Sequence, residues 1–129
     1  MEKVSERRGE QRLRYHWPIW FAEDFEDALS QGQMVDVSSE GAAFTCHVDE
    51  NCLYPGQQIT TRFSVPRFGA DDSFDMASFT RSGRICRVDE LNNFLRRVAI
   101  QFSDTLPFKP GEQADGESDT QQRLNAVTI

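Results

Sequence analysis

Two short motifs near the start of the chain carry residues that could bind an anion. The first, Arg8-Gly9-Glu10-Gln11-Arg12, places two guanidinium groups four positions apart. The second, Asp36-Val37-Ser38-Ser39-Glu40-Gly41, supplies a carboxylate, a hydroxyl and a glycine beside a predicted strand. An arginine donates two parallel hydrogen bonds, which fit a phosphate and equally the O6 and N7 acceptors of guanine. Together the motifs indicate a ligand that is an anion and displays guanine edges.

Five residues of the motifs have chemical roles that fit such a ligand. Arg8 and Arg12 can each hold a guanine edge or a phosphate, whereas lysine would keep the charge and lose the paired donors. Asp36 can accept from the N1–H and amino group of guanine, and Ser38 can add a hydroxyl contact. Gly41 would permit a positive φ or a close backbone approach. Taken singly, the arginines could instead form a solvated helix face, and the second motif an ordinary turn.

Length and charge restrict the class of protein. The 129 residues suit one domain with its own core, to which ten phenylalanines contribute. The net charge of −7 argues against a general DNA- or RNA-binding protein, which needs a broad basic face. We expect a flexible basic arm over residues 1–16 on an acidic body, which suits a small anionic ligand. The basic residues of the arm are Lys3, Arg7, Arg8, Arg12 and Arg14.

The hydrophobic pattern after the arm predicts an all-β fold. Six segments are rich in aromatic or β-branched residues, or alternate in polarity, and turn signals lie between them. The predicted strands span residues 17–22, 33–37, 42–48, 58–65, 79–88 and 95–102. Tyr54-Pro55-Gly56 is a turn signal, and residues 66–73 have the composition of a loop. This arrangement predicts a small six-stranded antiparallel, split β-barrel over residues 17–104.

The chain after the predicted barrel is polar. Pro107 and Pro110-Gly111 are expected to end the compact part, and residues 105–129 to form a tail. Ser118 to Val127 could form a short terminal helix, because Ser118 is a suitable N-cap and Gln121 follows three residues later.

The cysteines and histidines form no recognisable metal or catalytic set. Cys46, Cys52 and Cys86 are an odd number of thiols without metal-ligand spacing, which is typical of reduced residues in a cytoplasmic protein. A zinc site at Cys46 and His47 is disfavoured, because adjacent strand residues point to opposite faces. No apolar run approaches the ~20 residues that cross a membrane, and no signal-peptide stretch is present. We expect a cytoplasmic protein without metal, cofactor, catalytic residues or membrane insertion.

The order and context of the two motifs resemble the PilZ domain, a family of bacterial receptors for the second messenger cyclic di-GMP. Arg-x-x-x-Arg precedes Asp-x-Ser-x-x-Gly, and the second motif enters a predicted barrel. The likeness covers residues 7 to 103 and includes the segments Pro55-Gly56, Gly83 to Val88 and Val98 to Phe102. The resemblance implies a cyclic di-GMP site formed by Arg7, Arg8, Arg12, Asp36, Ser38 and Gly41.

The resemblance also implies a mode of action. Arg7 looks compatible with a second, stacked cyclic di-GMP molecule, whereas an apolar residue there is similar to the single-ligand type. Residues 1 to 14 of the arm would be mobile in the free protein and fold over the barrel on ligand binding. The protein, a monomer or a dimer, would then signal by contact to an unidentified downstream protein. The charge of Glu10, between the arginines, would weaken anion binding somewhat.

Two other functions are weighed against this one. The alternative is a PilZ-fold adaptor that does not use the nucleotide and acts through protein–protein interaction. An enzyme that hydrolyses the nucleotide is disfavoured, because no metal-binding carboxylate cluster accompanies the motifs.

Overall fold

The computed structural model describes residues 10–23, 29–47, 53–68 and 74–113 of the chain. Within these ranges it is built almost entirely from β-structure and contains no α-helix. The elements are β1 (Leu13–Arg14), β2 (Pro18–Ala22), β3 (Ser30–Val37), β4 (Gly41–His47), β5 (Gln58–Phe68), β6 (Phe74–Glu90), β7 (Leu95–Phe102) and a 3₁₀ helix (Pro110–Glu112).

Six of these strands close into an antiparallel barrel. Hydrogen bonds connect them in the order β3, β2, β5, β6, β7 and β4, and pairing of β3 with β4 completes the circle. The short β1 lies on the same edge of β3 as β2, because Leu13 pairs with Val37 and Pro18 pairs with Gln33. Two separate strands, β1 and β2, therefore pair with this edge of β3. The predicted six-stranded antiparallel barrel is confirmed.

Alternating side chains of the strands fill the barrel. In β2, Ile19 and Phe21 are buried and Trp20 between them is partly exposed, as the two-residue period of a strand requires. Phe44 of β4 is fully buried and packs against Phe21 with 5.0 Å between the ring centroids. Other large, fully buried side chains are Leu13, Tyr15, Met34, Ile59, Phe63 and Ile85.

The sheet begins earlier in the chain than the expected boundary at residue 16. Leu13 and Tyr15 are buried in the core, and the Tyr15 hydroxyl donates to the carbonyl oxygen of Ser64 at 2.8 Å. Burial raises the pKa of the Tyr15 phenol, so this group remains a neutral donor. These apolar positions alternate with the exposed Arg14 and His16, which is a strand pattern. Residues 1–9, which make up the remainder of the predicted arm, lie outside the described residues.

The hairpin of β5 and β6 is longer than predicted. Its antiparallel pairs run from Gln58 opposite Arg84 to Phe68 opposite Phe74. Residues 66–68, predicted as part of a loop, therefore belong to β5, because pairing with the long β6 continues past Val65. Residues 69–73 of that predicted loop lie outside the described residues.

The segment after β7 packs back against the barrel. Leu106 is buried, and its N–H donates to the carbonyl oxygen of Ser39 at 2.8 Å. Pro110 and Gly111 are buried in the 3₁₀ helix. The helix predicted between Ser118 and Val127 lies outside the described residues. In the described part of the chain, no helix has the length and apolar character needed to span a bilayer.

Candidate anion-binding site

The second motif forms the turn of the hairpin between β3 and β4. Asp36 lies near the end of β3 and Gly41 begins β4. The Ser38 N–H donates to the carbonyl oxygen of Gly41 at 2.8 Å, and the Ser38 hydroxyl oxygen accepts from the Glu40 N–H at 3.2 Å. These bonds fix the buried Ser38 side chain within the turn.

A β-bulge directs Asp36 to the outside of the barrel. Met34 pairs with Phe44, but the next pair is Asp36 with Ala43, so Val35 is an extra residue in β3. Without the bulge, the two-residue period would place Asp36 on the same side as the fully buried Met34. The carboxylate therefore reaches the outer surface because of this irregularity.

Three of the predicted site residues are joined through the guanidinium group of Arg12. Arg12 Nε donates to Asp36 Oδ1 at 2.7 Å, and Arg12 Nη1 lies 3.4 Å from the Ser38 hydroxyl oxygen. The Asp36 side chain is 13% exposed and the Arg12 side chain 27%. Arg97 of β7 approaches the other oxygen of the carboxylate, with 3.4 Å between Nη2 and Oδ2. One buried carboxylate is thus shared by two arginines.

Gly41 serves a close approach between strands. Its φ is not positive, since among the described glycines a positive φ occurs at Gly56 (φ 93), in the predicted turn. A Cβ built on Gly41 would lie 2.4 Å from the carbonyl oxygen of Ile100 in β7. Of the two reasons given for Gly41, the structure therefore supports the close backbone approach.

Glu10 connects the first motif to the turn of the second. One of its carboxylate oxygens accepts the Ser39 N–H at 2.8 Å, and the other accepts from the Ser39 hydroxyl at 2.7 Å. Both carboxylate oxygens of Glu10, which precedes Arg12 by two residues, are therefore bonded to the β3–β4 turn. From the sequence, the only effect expected of Glu10 on the site was that its negative charge would weaken anion binding.

Glu10→Ala is expected to destabilise the fold by about 1–2 kcal/mol, because Ser39 loses two charge-assisted bonds to a half-buried carboxylate. Urea denaturation would measure the loss. Glu40→Ala is the matched control, because it removes an equal charge from an exposed neighbouring residue. Equal urea midpoints for the two variants would contradict a structural role of Glu10.

The 3₁₀ helix supports the same segment from the other side. The Gln11 N–H donates to Glu112 Oε2 at 2.7 Å. A Cβ built on Gly111 would lie 2.4 Å from the Gln11 carbonyl oxygen, so the two backbones are in direct contact. Residues 10–12 are therefore held between the turn and the 3₁₀ helix, and this position places Arg12 beside Asp36.

Two open clefts on the outer surface of the barrel meet at Arg12, which lines both. The smaller, of about 270 Å³, is also lined by Glu10, Ser38, Gly41, Cys86 and Gln101. The larger, of about 440 Å³, is also lined by Asp36, Ala43, Arg87, Arg97 and Ala99. Polar and charged groups of both motifs thus face two adjoining spaces of a size suited to small ligands.

Two of the predicted site residues, Arg7 and Arg8, lie outside the described residues. Glu10, the first residue described, lines the smaller cleft two positions after Arg8. Sequence reasoning missed Arg97, although one signal was available. Val98 and Ile100 occupy alternate positions of the predicted strand 95–102 and face the core, so the adjacent Arg97 faces outward.

The thiols and histidines form no metal site in the described ranges. Among those residues, no group of three or more His, Cys, Asp or Glu side chains could hold a metal ion. Cys46 is a buried thiol, the adjacent His47 is exposed, and Cys86 is an exposed thiol. Cys52 lies outside the described residues.

Comparisons with known proteins identify related folds. The family model of the PilZ domain matches residues 6–113. The chain is similar in structure to the inhibitor of motility MotI (DgrA) of Bacillus subtilis, with 10% identity and a TM-score of 0.58, over 92% of this chain and 51% of that one. It therefore spans about half of that protein's length.

A second similar structure is the PilZ domain with c-di-GMP of YcgR from Escherichia coli. The identity is 12% and the TM-score 0.50, over 94% of this chain and 91% of that one. At these identities the structural likenesses show a shared fold. No curated protein sequence matches the chain.

Proposed function

Because the chain belongs to the PilZ domain family, we propose that it is a receptor for cyclic di-GMP that passes the signal to a downstream protein by contact. The family consists of receptors and adaptors rather than enzymes. The observation that carries the proposal is the cluster of Arg12, Asp36 and Ser38, which joins the two motifs on one outer face of the barrel. The c-di-GMP present in the YcgR structure supports it further.

In this proposal, ligand groups become additional hydrogen-bond partners of Arg12 and Asp36. Arg12 contacts Asp36 through Nε and is 27% exposed, so its terminal nitrogens can turn toward a phosphate or the O6 and N7 atoms of guanine. Asp36 can then accept from the guanine N1–H and amino group. The ligand brings two phosphates and two guanines, which is the chemistry that this pair of side chains fits.

Arg7 and Arg8 are proposed to complete the site from the N-terminal side. Glu10 is bonded to Ser39, so we place the part of the arm that closes on the ligand before Glu10. Closure there would bring Arg8 to the smaller cleft, which Glu10 lines. Arg7 would neutralise or stack on a second ligand molecule.

One observation favours the alternative of an adaptor that does not use nucleotide. Arg12 and Asp36 already satisfy each other at 2.7 Å, and Arg97 adds a second contact to the same carboxylate. Such a cluster could serve solely to hold the N-terminal segment to the barrel. A ligand-binding measurement distinguishes the two functions.

The test is calorimetric titration of the full chain with cyclic di-GMP, with cyclic di-AMP as the control ligand. Micromolar or tighter binding that is selective for guanine would support the receptor. Two ligand molecules per chain would support the role of Arg7, and one would contradict it. Absence of both heat and thermal stabilisation at high ligand concentration would overturn the receptor in favour of the adaptor.

Asp36→Ala is expected to reduce the preference for cyclic di-GMP over cyclic di-AMP by about tenfold or more, because adenine lacks the donors that the carboxylate accepts. The loss of total affinity should be smaller than that caused by loss of Arg12. Competition between the two nucleotides would measure the ratio. Asp75→Ala, on the exposed far part of β6, removes the same charge as a control. An unchanged ratio would exclude Asp36 from base recognition.

A further inference from the structure

The larger cleft has a floor of small side chains between charged edges. Ala43 of β4 pairs with Ala99 of β7. Asp36 pairs with Ala43 on one side, and Arg87 pairs with Ala99 on the other. The outward-facing row across four neighbouring strands therefore consists of Asp36, Ala43, Ala99 and Arg87.

The dimensions of this floor fit a flat base. Neighbouring strands lie about 4.8 Å apart, so the row from Asp36 to Arg87 spans roughly 14 Å. Ala43 and Ala99 carry only a methyl group, but Ala43 is 4% exposed. A planar ring can therefore lie against this part of the barrel once a neighbouring charged side chain moves aside. A purine in this position would have its edge beside the Asp36 carboxylate.

Arg97 lies beside the floor, two residues before Ala99 in β7 and on the same face of the strand. It pairs with Thr45 of β4 and with Asp89 of β6. Its side chain is 45% exposed, and its Nη2 is 3.4 Å from Asp36 Oδ2. A charge-assisted hydrogen bond normally measures about 2.7–2.9 Å, so this contact is long. Of the two arginines at Asp36, Arg97 is the more exposed and the more loosely held.

We propose that Arg97 is a further arginine of the ligand site, which leaves Asp36 and binds a phosphate of the nucleotide whose guanine lies on the floor of Ala43 and Ala99. This inference rests on the proposed function. The guanidinium exchanges one anion for another, so no charge is left without a partner. Asp36 keeps its shorter contact to Arg12 and becomes accessible to the guanine edge.

The electrostatic balance of the cluster supports this exchange. Arg12, Arg97 and Asp36 together carry one excess positive charge, and cyclic di-GMP carries two negative phosphates. Phosphate oxygens accept two parallel bonds from a guanidinium, which a single carboxylate oxygen at 3.4 Å does not offer. Binding thus gives Arg97 a better geometry than it has in the free protein.

The test is titration of the full-length wild type, Arg97→Ala and Arg97→Lys with cyclic di-GMP and cyclic di-AMP. We expect Arg97→Ala to bind cyclic di-GMP roughly tenfold or more weakly, and Arg97→Lys to fall between, because lysine keeps the charge but not the paired donors. Selectivity for guanine should be retained, because Asp36 still recognises the base. Arg62→Ala, an exposed arginine on β5, is the matched control and should bind like the wild type.

Three results would overturn the inference. The first is affinity of Arg97→Ala within about twofold of the wild type. The second is a loss of guanine selectivity in parallel with affinity, which would mean that Arg97 acts by positioning Asp36. The third is a wild type that binds no cyclic di-GMP, which would overturn the proposed function as well. If thermal unfolding shows that Arg97→Ala is not folded, Arg97→Gln replaces it with the same expected results.

Discussion

Arg12→Ala is expected to weaken cyclic di-GMP binding by about ten- to a hundredfold. A charge-assisted contact of this kind contributes roughly 1.5–3 kcal/mol, and tenfold in affinity corresponds to about 1.4 kcal/mol. Arg12 lines both clefts, so its removal affects ligand groups in either one. It also leaves Asp36 with Arg97 as its remaining described ion-pair partner, at 3.4 Å. Titration calorimetry would measure the change in dissociation constant.

Two further variants separate the possible reasons for such a loss. Arg12→Lys keeps the charge and should recover part of the affinity, since the paired donors of the guanidinium are missing. Arg62→Ala controls for the loss of one positive charge elsewhere on the barrel. Equal binding by Arg12→Ala and the wild type would exclude Arg12 from ligand binding and contradict the proposed site, whatever the result for Arg97.

Gly41→Ala is expected to lower the free energy of unfolding by about 1–3 kcal/mol, because an added methyl group overpacks the contact between β4 and β7. The new Cβ would meet the backbone carbonyl oxygen of Ile100 at 2.4 Å, and a backbone atom cannot move aside as a side chain can. The strands would have to separate where the turn carrying Ser38 begins. Urea denaturation would measure the stability, and titration with cyclic di-GMP the accompanying loss of affinity.

Gln101→Ala is the control for this effect. Gln101 is exposed and pairs with Gly41 across β4 and β7. Its truncation therefore alters a side chain at the same strand contact without adding an atom near the backbone. We expect little change in its unfolding midpoint. If Gly41→Ala were as stable as Gln101→Ala, the close approach of β4 and β7 would not be the reason for a glycine at this position.

The barrel could be predicted because its strands have a regular two-residue period. Ile19 and Phe21, or Val98 and Ile100, face the core from positions that the sequence alone identifies. The two-residue β1 was missed because so short a strand has no period of its own and lies among basic residues. The extension of β5 past Val65 depends on pairing with β6, and a pairing partner is not visible in a local pattern.

Part of the candidate site was equally accessible from the sequence. Arg12, Asp36 and Ser38 carry the motifs, and the structure brings them together. The contact of Arg97 with Asp36 joins residues 61 positions apart, so spacing could not indicate it. The bulge at Val35 was also beyond prediction, because an extra residue is defined only by the opposing strand. Arg7 and Arg8 remain predictions.

In the proposed receptor, the packing of the segment after β7 against the β3–β4 turn would couple binding of the ligand to binding of a partner at that segment. Ser39 accepts the Leu106 N–H on one side and bonds Glu10 on the other, and Gln11 is bonded to Glu112. A partner that displaced residues 106–112 would alter the turn and hence the affinity for a ligand bound beside it. By linkage, the ligand would change the affinity for that partner by the same factor. In the proposed receptor, the signal would then leave the barrel through the segment after β7.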